Sequence, residues 1–154
     1  MKTVVQRVTR AEVRVGDEVV GTIGRGLMLL VGVEKGDGEA DADVTARKIA
    51  ALRVFPKRTP MDVTVAEAEG ACLVVSQFTL CATLAKGNRP SFEPAEAPAR
   101  AEALYRRVAD GLRAAGLTVE TGRFGADMAV ELVNDGPVTF ILAVRGGRLA
   151  DDSD

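Results

Sequence analysis

The chain has 154 residues, of which 47% are hydrophobic and 27% charged, and its formal net charge is −2. Length and mix suit one globular domain that buries a core without disulfide or metal, and they exclude a disordered or fibrous chain. The mild acidity argues against a broadly basic nucleic-acid binder. The absence of histidine excludes a Ser-His-Asp triad, a Cys-His dyad and histidine-ligated zinc within one chain.

Residues 4–15 alternate apolar and polar with the period of a strand, most clearly Ala11, Val13 and Val15 against Glu12 and Arg14. Gly16-Asp17 marks a turn, and Val19-Val20 begins a returning strand. Gly24-Arg25-Gly26 breaks it, and the continuous apolar run 27–33 predicts a central strand buried on both faces. This Gly-x-Gly lacks a third glycine and precedes a strand, so it is no dinucleotide-binding turn. After Gly36-Asp37-Gly38, an acidic first turn opens a helix to about residue 54, with Ala42, Ala46, Ile49 and Leu52 on one face. Pro56 and Pro60 punctuate a loop, followed by a short strand at 63–65. Residues 71–78 predict another buried strand and 86–98 a loop with three prolines. A helix to about residue 115 follows, with Ala101, Leu104, Val108, Leu112 and Ala115 as its stripe and Gly116 as its cap. Closing strands are predicted at 117–121, 128–133 and 138–144. A domain of residues 1–145 then gives way to a polar tail, 146–154, that reads as frayed. The order strands, helix, strands, helix, strands predicts a single-domain α/β fold with helices packed on one side of a largely buried sheet system.

No apolar stretch approaches the roughly 18 residues of a membrane span, and residues 1–7 lack the apolar run of a signal peptide. No membrane partner is expected, and the expected location is cytoplasmic. Cys72 and Cys81 flank one apolar run without CxxC spacing and read as buried free thiols. Bases gather at Arg7, Arg10 and Arg14, at Lys57-Arg58, at Lys86 and Arg89, and at Arg106-Arg107. A basic face on a net acidic domain can meet phosphate, although each cluster also reads as solvated surface.

Four segments hold residue types suited to a site. Ser76-Gln77-Phe78-Thr79-Leu80 ends a buried strand, where side chains and backbone amides face a crevice and suit a small polar substrate. Ser76 and Thr79 also read as strand-ending residues satisfied by local backbone hydrogen bonds. Asn134-Asp135-Gly136-Pro137-Val138-Thr139 reads first as a hairpin turn with an ordinary trans peptide before Pro137. Lys86-Gly87-Asn88-Arg89-Pro90-Ser91-Phe92 offers two cations, an amide and a ring to a phosphate or a ribose, or is a solvated loop. In Thr121-Gly122-Arg123-Phe124-Gly125-Ala126-Asp127-Met128, small residues beside Phe124 and Met128 make a slot for a flat base, or pack in the core.

Together these segments resemble the D-aminoacyl-tRNA deacylase family, also known as D-tyrosyl-tRNA(Tyr) deacylases. Residues 76–80 are similar to its SQxTL motif and residues 134–139 to its NxGPxT motif. Gln6-Arg7-Val8, Arg89-Pro90-Ser91-Phe92 and Thr121-Gly122-Arg123-Phe124 also match. The likeness covers about residues 1 to 144, and both main motifs in this order and spacing are highly specific. It implies layered β-sheets with helices on one side, an obligate homodimer, and a cytoplasmic proofreading hydrolase. Its substrates would be D-aminoacyl-tRNA and glycyl-tRNA mischarged on tRNA(Ala), with no cofactor and no metal. It implies that Gly136-Pro137 is cis and enters the partner subunit's active site, where backbone carbonyls hold the α-amino group and an L side chain is rejected sterically. Thr79 and the backbone of Phe78 are the implied catalytic groups, the backbone N–H groups meeting the oxyanion. Ser76, Gln77, Gly136 and Pro137 would bind substrate, and Phe124, Gly125, Ala126 and Met128 would lie near the terminal adenosine. Arg7 would brace the Gly-Pro pair, and Lys86 and Arg89 would meet tRNA. An ester on ribose is already activated, and its neighbouring hydroxyl can assist water. Hydrolysis assisted by tRNA is therefore expected over attack by Thr79, for which no base is evident. The proline-rich stretch 56–62 is unusual for the family.

Three rival readings stay open on the residues alone. One is a hydrolase of another small ester or amide with Thr79 or Ser76 as nucleophile. Another is a non-catalytic RNA-binding module, against which an aromatic content of 4% weighs. The third is a structural dimer with a trans turn at Gly136-Pro137.

Overall fold

The computed structural model describes residues 1–151. Its elements run β1 (Lys2–Val15), β2 (Glu18–Ile23), β3 (Gly26–Gly32), α1 (Glu39–Ala51), β4 (Ala71–Ser76), a 3-10 turn (Phe78–Cys81), α2 (Pro98–Ala114), β5 (Val119–Thr121), β6 (Ala129–Arg145) and β7 (Arg148–Ala150). The strands form one sheet in the order β5-β4-β3-β1-β6-β7, with β2 also paired to β1. β3, β4 and β5 run parallel; the other pairings are antiparallel.

Strand alternation places two cores. On the helix side, Val5, Leu27, Leu29, Val31, Cys72 and Val74 meet Ile49 of α1 and Leu104, Val108 and Leu112 of α2. On the other side, Met28, Leu73 and Val75 meet Val8, Ala11, Val13 and Ile23. The apolar runs of β3 and β4 are therefore buried on both faces, as their lack of alternation predicts. The second core exists because the sheet curls over itself. The first half of β1 pairs with β3 and the second half with β2, so β2 lies over β4 and β5. Gly21 marks the closest approach: a Cβ there would stand 2.5 Å from the Thr121 carbonyl oxygen and 3.0 Å from Leu73 Cδ1. The result is the expected α/β fold, a layered β structure with both helices on one side.

The helices are explained by their termini as well as their faces. Pro98 opens α2 where its missing N–H is harmless. Asp41 accepts from the Gly38 N–H at 2.9 Å at the start of α1, and from the Gly147 N–H at 2.8 Å. α1 is thereby tied to the turn between β6 and β7. The α2 stripe is as predicted at Ala101, Leu104, Val108 and Leu112, while Tyr105 and Ala109 join it and Ala115 is exposed.

Several boundaries differ from the sequence reading. α1 stops at Ala51, and Leu52 is already extended (φ −63, ψ 129); beyond it Arg53 pairs with Asp62 at 3.0 Å. The strand predicted at 63–65 is a single bridge between Phe55 and Val63. β4 ends at Ser76, not at 78. The two strands predicted at 128–133 and 138–144 are one strand, β6, with no hairpin between them. The tail is not frayed through residue 150, since β7 folds back on β6 after Gly146 and Gly147 (φ +59 and +72). Residues 152–154 lie outside the described residues. Among the described residues, no helix is long and apolar enough to cross a membrane.

Candidate active site

Outside the carboxyl ends of the parallel strands lies a cleft of about 620 Å3, the usual crevice of such sheets. One wall is Val75, Ser76, Gln77 and Phe78, where β4 gives way to the 3-10 turn. The facing wall is Phe124, Gly125, Ala126 and Met128, where the chain leaves β5. Phe92, Glu96, Asp127 and Val130 also line it.

The first wall follows from local hydrogen bonding. Gln77 N–H donates to the Val31 carbonyl at 2.8 Å, the last bond of the ladder. The chain then winds: Leu80 N–H donates to Gln77 O and Ala82 N–H to Thr79 O, each at 3.2 Å. The Phe78 and Thr79 amides lead this turn and have no acceptor within it. The turn packs on Gly32, where a Cβ would lie 3.0 Å from Cys81 Sγ and from Leu80 Cβ. Gln77 Nε2 donates to Thr79 Oγ1. Thr79 is exposed, does not line the cleft, and has a carboxamide rather than a base beside it. The Phe78 ring meets Phe92 edge-on, centroids 5.2 Å apart.

The second wall depends on glycine. Gly122 N–H donates to Val74 O at 3.1 Å, and a Cβ on Gly122 would sit 2.8 Å from Met128 Sδ. Its absence lets Met128 close the slot. Phe124 leans on Tyr105, centroids 6.1 Å apart, and the Tyr105 hydroxyl donates to Val74 O at 3.0 Å.

The remaining motif stands elsewhere. β1 and β6 pair at Gln6↔Thr139 and next at Val8↔Asn134, so residues 135–138 arch out of a continuous ribbon. Asn134 holds the base of the arch, its Nδ2 donating to the carbonyls of Arg7 and Val138 at 3.0 Å each. Thr139 Oγ1 donates to Asn134 Oδ1 at 3.3 Å and accepts from Gln6 Nε2 at 3.2 Å. The Gly136–Pro137 peptide is cis, and both residues are exposed. Below them, Arg7 is only 8% exposed. Its Nη1 donates to the Val54 carbonyl at 2.8 Å, and its Nε lies 3.4 Å from Asp135 Oδ2.

The structure thus brings together Ser76, Gln77 and Phe78 with Phe124, Gly125, Ala126 and Met128. It sets Gly136, Pro137 and Arg7 apart from that cleft within the same chain. Lys86 and Arg89 sit on an exposed loop closed by the bridge between Thr83 and Ser91, also apart from the cleft. Gln6, Asn134, Asp135 and Thr139 frame the arch; sequence reasoning quoted them within their motifs but gave none of them a role of its own. For Asn134 and Thr139 the signal is the NxGPxT spacing itself, but the Arg7 carbonyl that Asn134 binds is distant in sequence.

Among the described residues, no group of three or more Asp, Glu, His or Cys gathers to hold a metal. Burial pushes the Cys72 thiol up to about 12, and burial together with nearby Glu34 pushes Cys81 up to about 11. Neither is a thiolate at neutral pH. Iodoacetamide at pH 8 is therefore expected to leave both unmodified in the folded protein and to alkylate both in guanidinium. Stoichiometric labelling of either thiol in the fold, read by mass spectrometry, would contradict this burial.

The family model described as D-Tyr-tRNA(Tyr) deacylase matches residues 4–143. The D-aminoacyl-tRNA deacylase of Anaeromyxobacter dehalogenans is 57% identical over 146 residues, covering 94% of this chain and 98% of that protein. That of Geobacter sulfurreducens is 53% identical over 146 residues, covering 94% and 96%. A solved structure titled c-Myc DNA Unwinding Element Binding Protein superposes with a TM-score of 0.88 at 40% identity, covering 95% of this chain and all of that one.

Proposed function

The chain belongs to the D-Tyr-tRNA(Tyr) deacylase family, and on that footing we propose that it hydrolyses the ester between a D-amino acid and tRNA. The observation that carries this reading is the single cleft that joins the 3-10 turn of the SQFTL segment to the Phe124–Met128 wall. The terminal adenosine lies along Phe124, Gly125, Ala126 and Met128. The ester carbonyl then meets the two leading amides at Phe78 and Thr79, which stabilise the negative charge that develops as water attacks. The ribose hydroxyl next to the ester assists the water. Thr79, held by Gln77, positions the substrate and is not the nucleophile.

Chirality is enforced by a second copy of the chain. The exposed arch stands away from its own cleft, and Phe140, Ile141, Val133 and Val130 leave exposed apolar surface on the strand that carries it. In the homodimer, Gly136 and Pro137 of one subunit enter the cleft of the other and hold the α-amino group by their carbonyls. An L side chain meets that backbone, whereas a D side chain or the hydrogen of glycine points away. The same filter admits glycyl-tRNA mischarged on tRNA(Ala). The reading places the enzyme in the cytoplasm with charged tRNA.

The test is amino-acid release from D-tyrosyl-, L-tyrosyl- and glycyl-tRNA. Release is expected from the D and glycyl esters, with the L ester at background. Thr79→Ala is expected to retain turnover within about tenfold, whereas a 2′-deoxy terminal adenosine loses roughly a hundredfold or more. Equal cleavage of D and L esters would end the chiral reading. Abolition by Thr79→Ala would restore the nucleophile.

A further inference from the structure

A second pocket, of about 480 Å3, lies behind Phe124. Phe124 lines both this pocket and the cleft, so the two hollows share a wall. Their chemistry differs. Arg106 and Arg113 of α2 and Arg123, just after β5, line the second pocket, against one acid, Asp110. Each guanidinium is engaged at only part of its fork. Arg106 pairs with Glu102 at 2.6 Å and Arg123 with Glu18 at 3.2 Å. Arg113 pairs with Asp110 at 3.1 Å and donates to Val119 O at 3.3 Å. Exposed pairs of this kind hold weakly, so the carboxylates keep the arginines extended without competing strongly with a better anion.

We propose that this pocket is a phosphodiester site for the strand that enters the cleft, with Arg106 and Arg123 as its forks. The inference rests on the reading of the cleft as an adenosine site. An adenosine esterified on its ribose is joined to the rest of the polynucleotide through its 5′ phosphate, so that phosphate must leave the cleft on one side. Glu96, paired with Arg100 at 3.3 Å, and Asp127 are the charged residues lining the cleft, and no cation lines it. The side behind Phe124 presents three guanidinium groups, whose planar forks match phosphate oxygens. A third hollow carries Arg53, Lys57 and Arg58 but shares no lining residue with the cleft.

The test compares D-aminoacyl-tRNA with the same D-aminoacyl ester on adenosine alone, which has no phosphate. The double variant Arg106→Gln/Arg123→Gln is expected to raise KM for the tRNA ester about tenfold with kcat within about twofold. It should flatten the slope of log affinity against log salt by about 0.7, the value for the one phosphate that is no longer neutralised. Its kcat/KM on the adenosine ester should follow the unmodified protein. Glu18→Gln/Glu102→Gln frees both forks and should move KM for the tRNA ester the other way. Unchanged KM and slope in the arginine variant, or equal loss on both esters, would overturn the phosphate site. Binding of uncharged tRNA, read without turnover, separates the two ideas. Variant-sensitive binding with no cleavage of either ester by the unmodified protein would remove the deacylase reading and keep the phosphate site. Cleavage of both esters with variant-insensitive binding would do the reverse.

Discussion

Gly136→Ala is expected to lower turnover of D-tyrosyl-tRNA roughly a hundredfold while the domain stays folded at 25 °C. Gly136 has φ +117, a region that L residues rarely adopt. An alanine Cβ there would stand 2.8 Å from Arg7 Nη2 and 3.0 Å from Val138 Cγ2. Long side chains usually give way, but Arg7 is buried and pinned to the Val54 carbonyl, so the arch must move instead. Strain of this kind costs about 1–3 kcal/mol, less than the roughly 5–15 kcal/mol that holds a domain together. A shift of about 1 Å in a positioning element is enough for a hundredfold loss. Circular dichroism would verify the fold, and release assays on D and L esters would read the activity. An alanine variant with full D-ester turnover and unchanged selectivity would show that the arch does not touch substrate.

Arg7→Ala is expected to be the more destabilising change. It strips a buried guanidinium from the Val54 carbonyl and from Asp135, and it empties the space beneath Gly136. Breaking a buried pair costs about 3–5 kcal/mol. Asp135, 39% exposed at its side chain, can regain water, so the loss should fall near the lower end, about 3 kcal/mol. In a domain of this size that is a fall in Tm of about 6–12 °C. Arg7→Lys keeps the charge but not the fork, and a single ammonium cannot serve both partners. It should cost less stability than alanine while still loosening the D-over-L ratio. Thermal melts within about 1 °C for both variants would mean that Arg7 is not the brace.

How much of this was legible depends on whether the controlling interaction is local. The runs of β3 and β4 and the α2 stripe follow from periodicity alone, because burial on two faces or one sets the pattern directly. The cleft wall at Ser76–Phe78 was legible as a strand end. The winding that follows was not, since it depends on Gly32 of a neighbouring strand leaving room for Cys81 and Leu80. Asn134-Asp135-Gly136-Pro137 misled most. By local chemistry it is a hairpin turn with a trans peptide, yet it is an arch within β6, with a cis peptide before Pro137. The Asn134 amide supplies the missing ladder bonds, and its acceptor on Arg7 lies across the sheet. Family resemblance, not composition or spacing, pointed to Gly136-Pro137 and Arg7 as a functional unit.

The pairing of β1 with β6 also makes the fold rich in contacts between distant parts of the chain. Most of the chain separates Lys2 from Ala143 and Arg14 from Ala129, which are paired in the ribbon. Bringing such distant segments together spends loop entropy before any ladder bond repays it, the hallmark of slow folding in topologies rich in non-local pairings. The Arg7 and Asn134 hydrogen bonds that shape the arch form only at that closure. The two cleft walls at residues 75–78 and 124–128, by contrast, precede β6 in the chain, with Val130 of β6 also lining the cleft. The arch therefore depends on closure between the two ends of the domain, a constraint that the 75–78 wall, set by β4 and its neighbour β3, does not share.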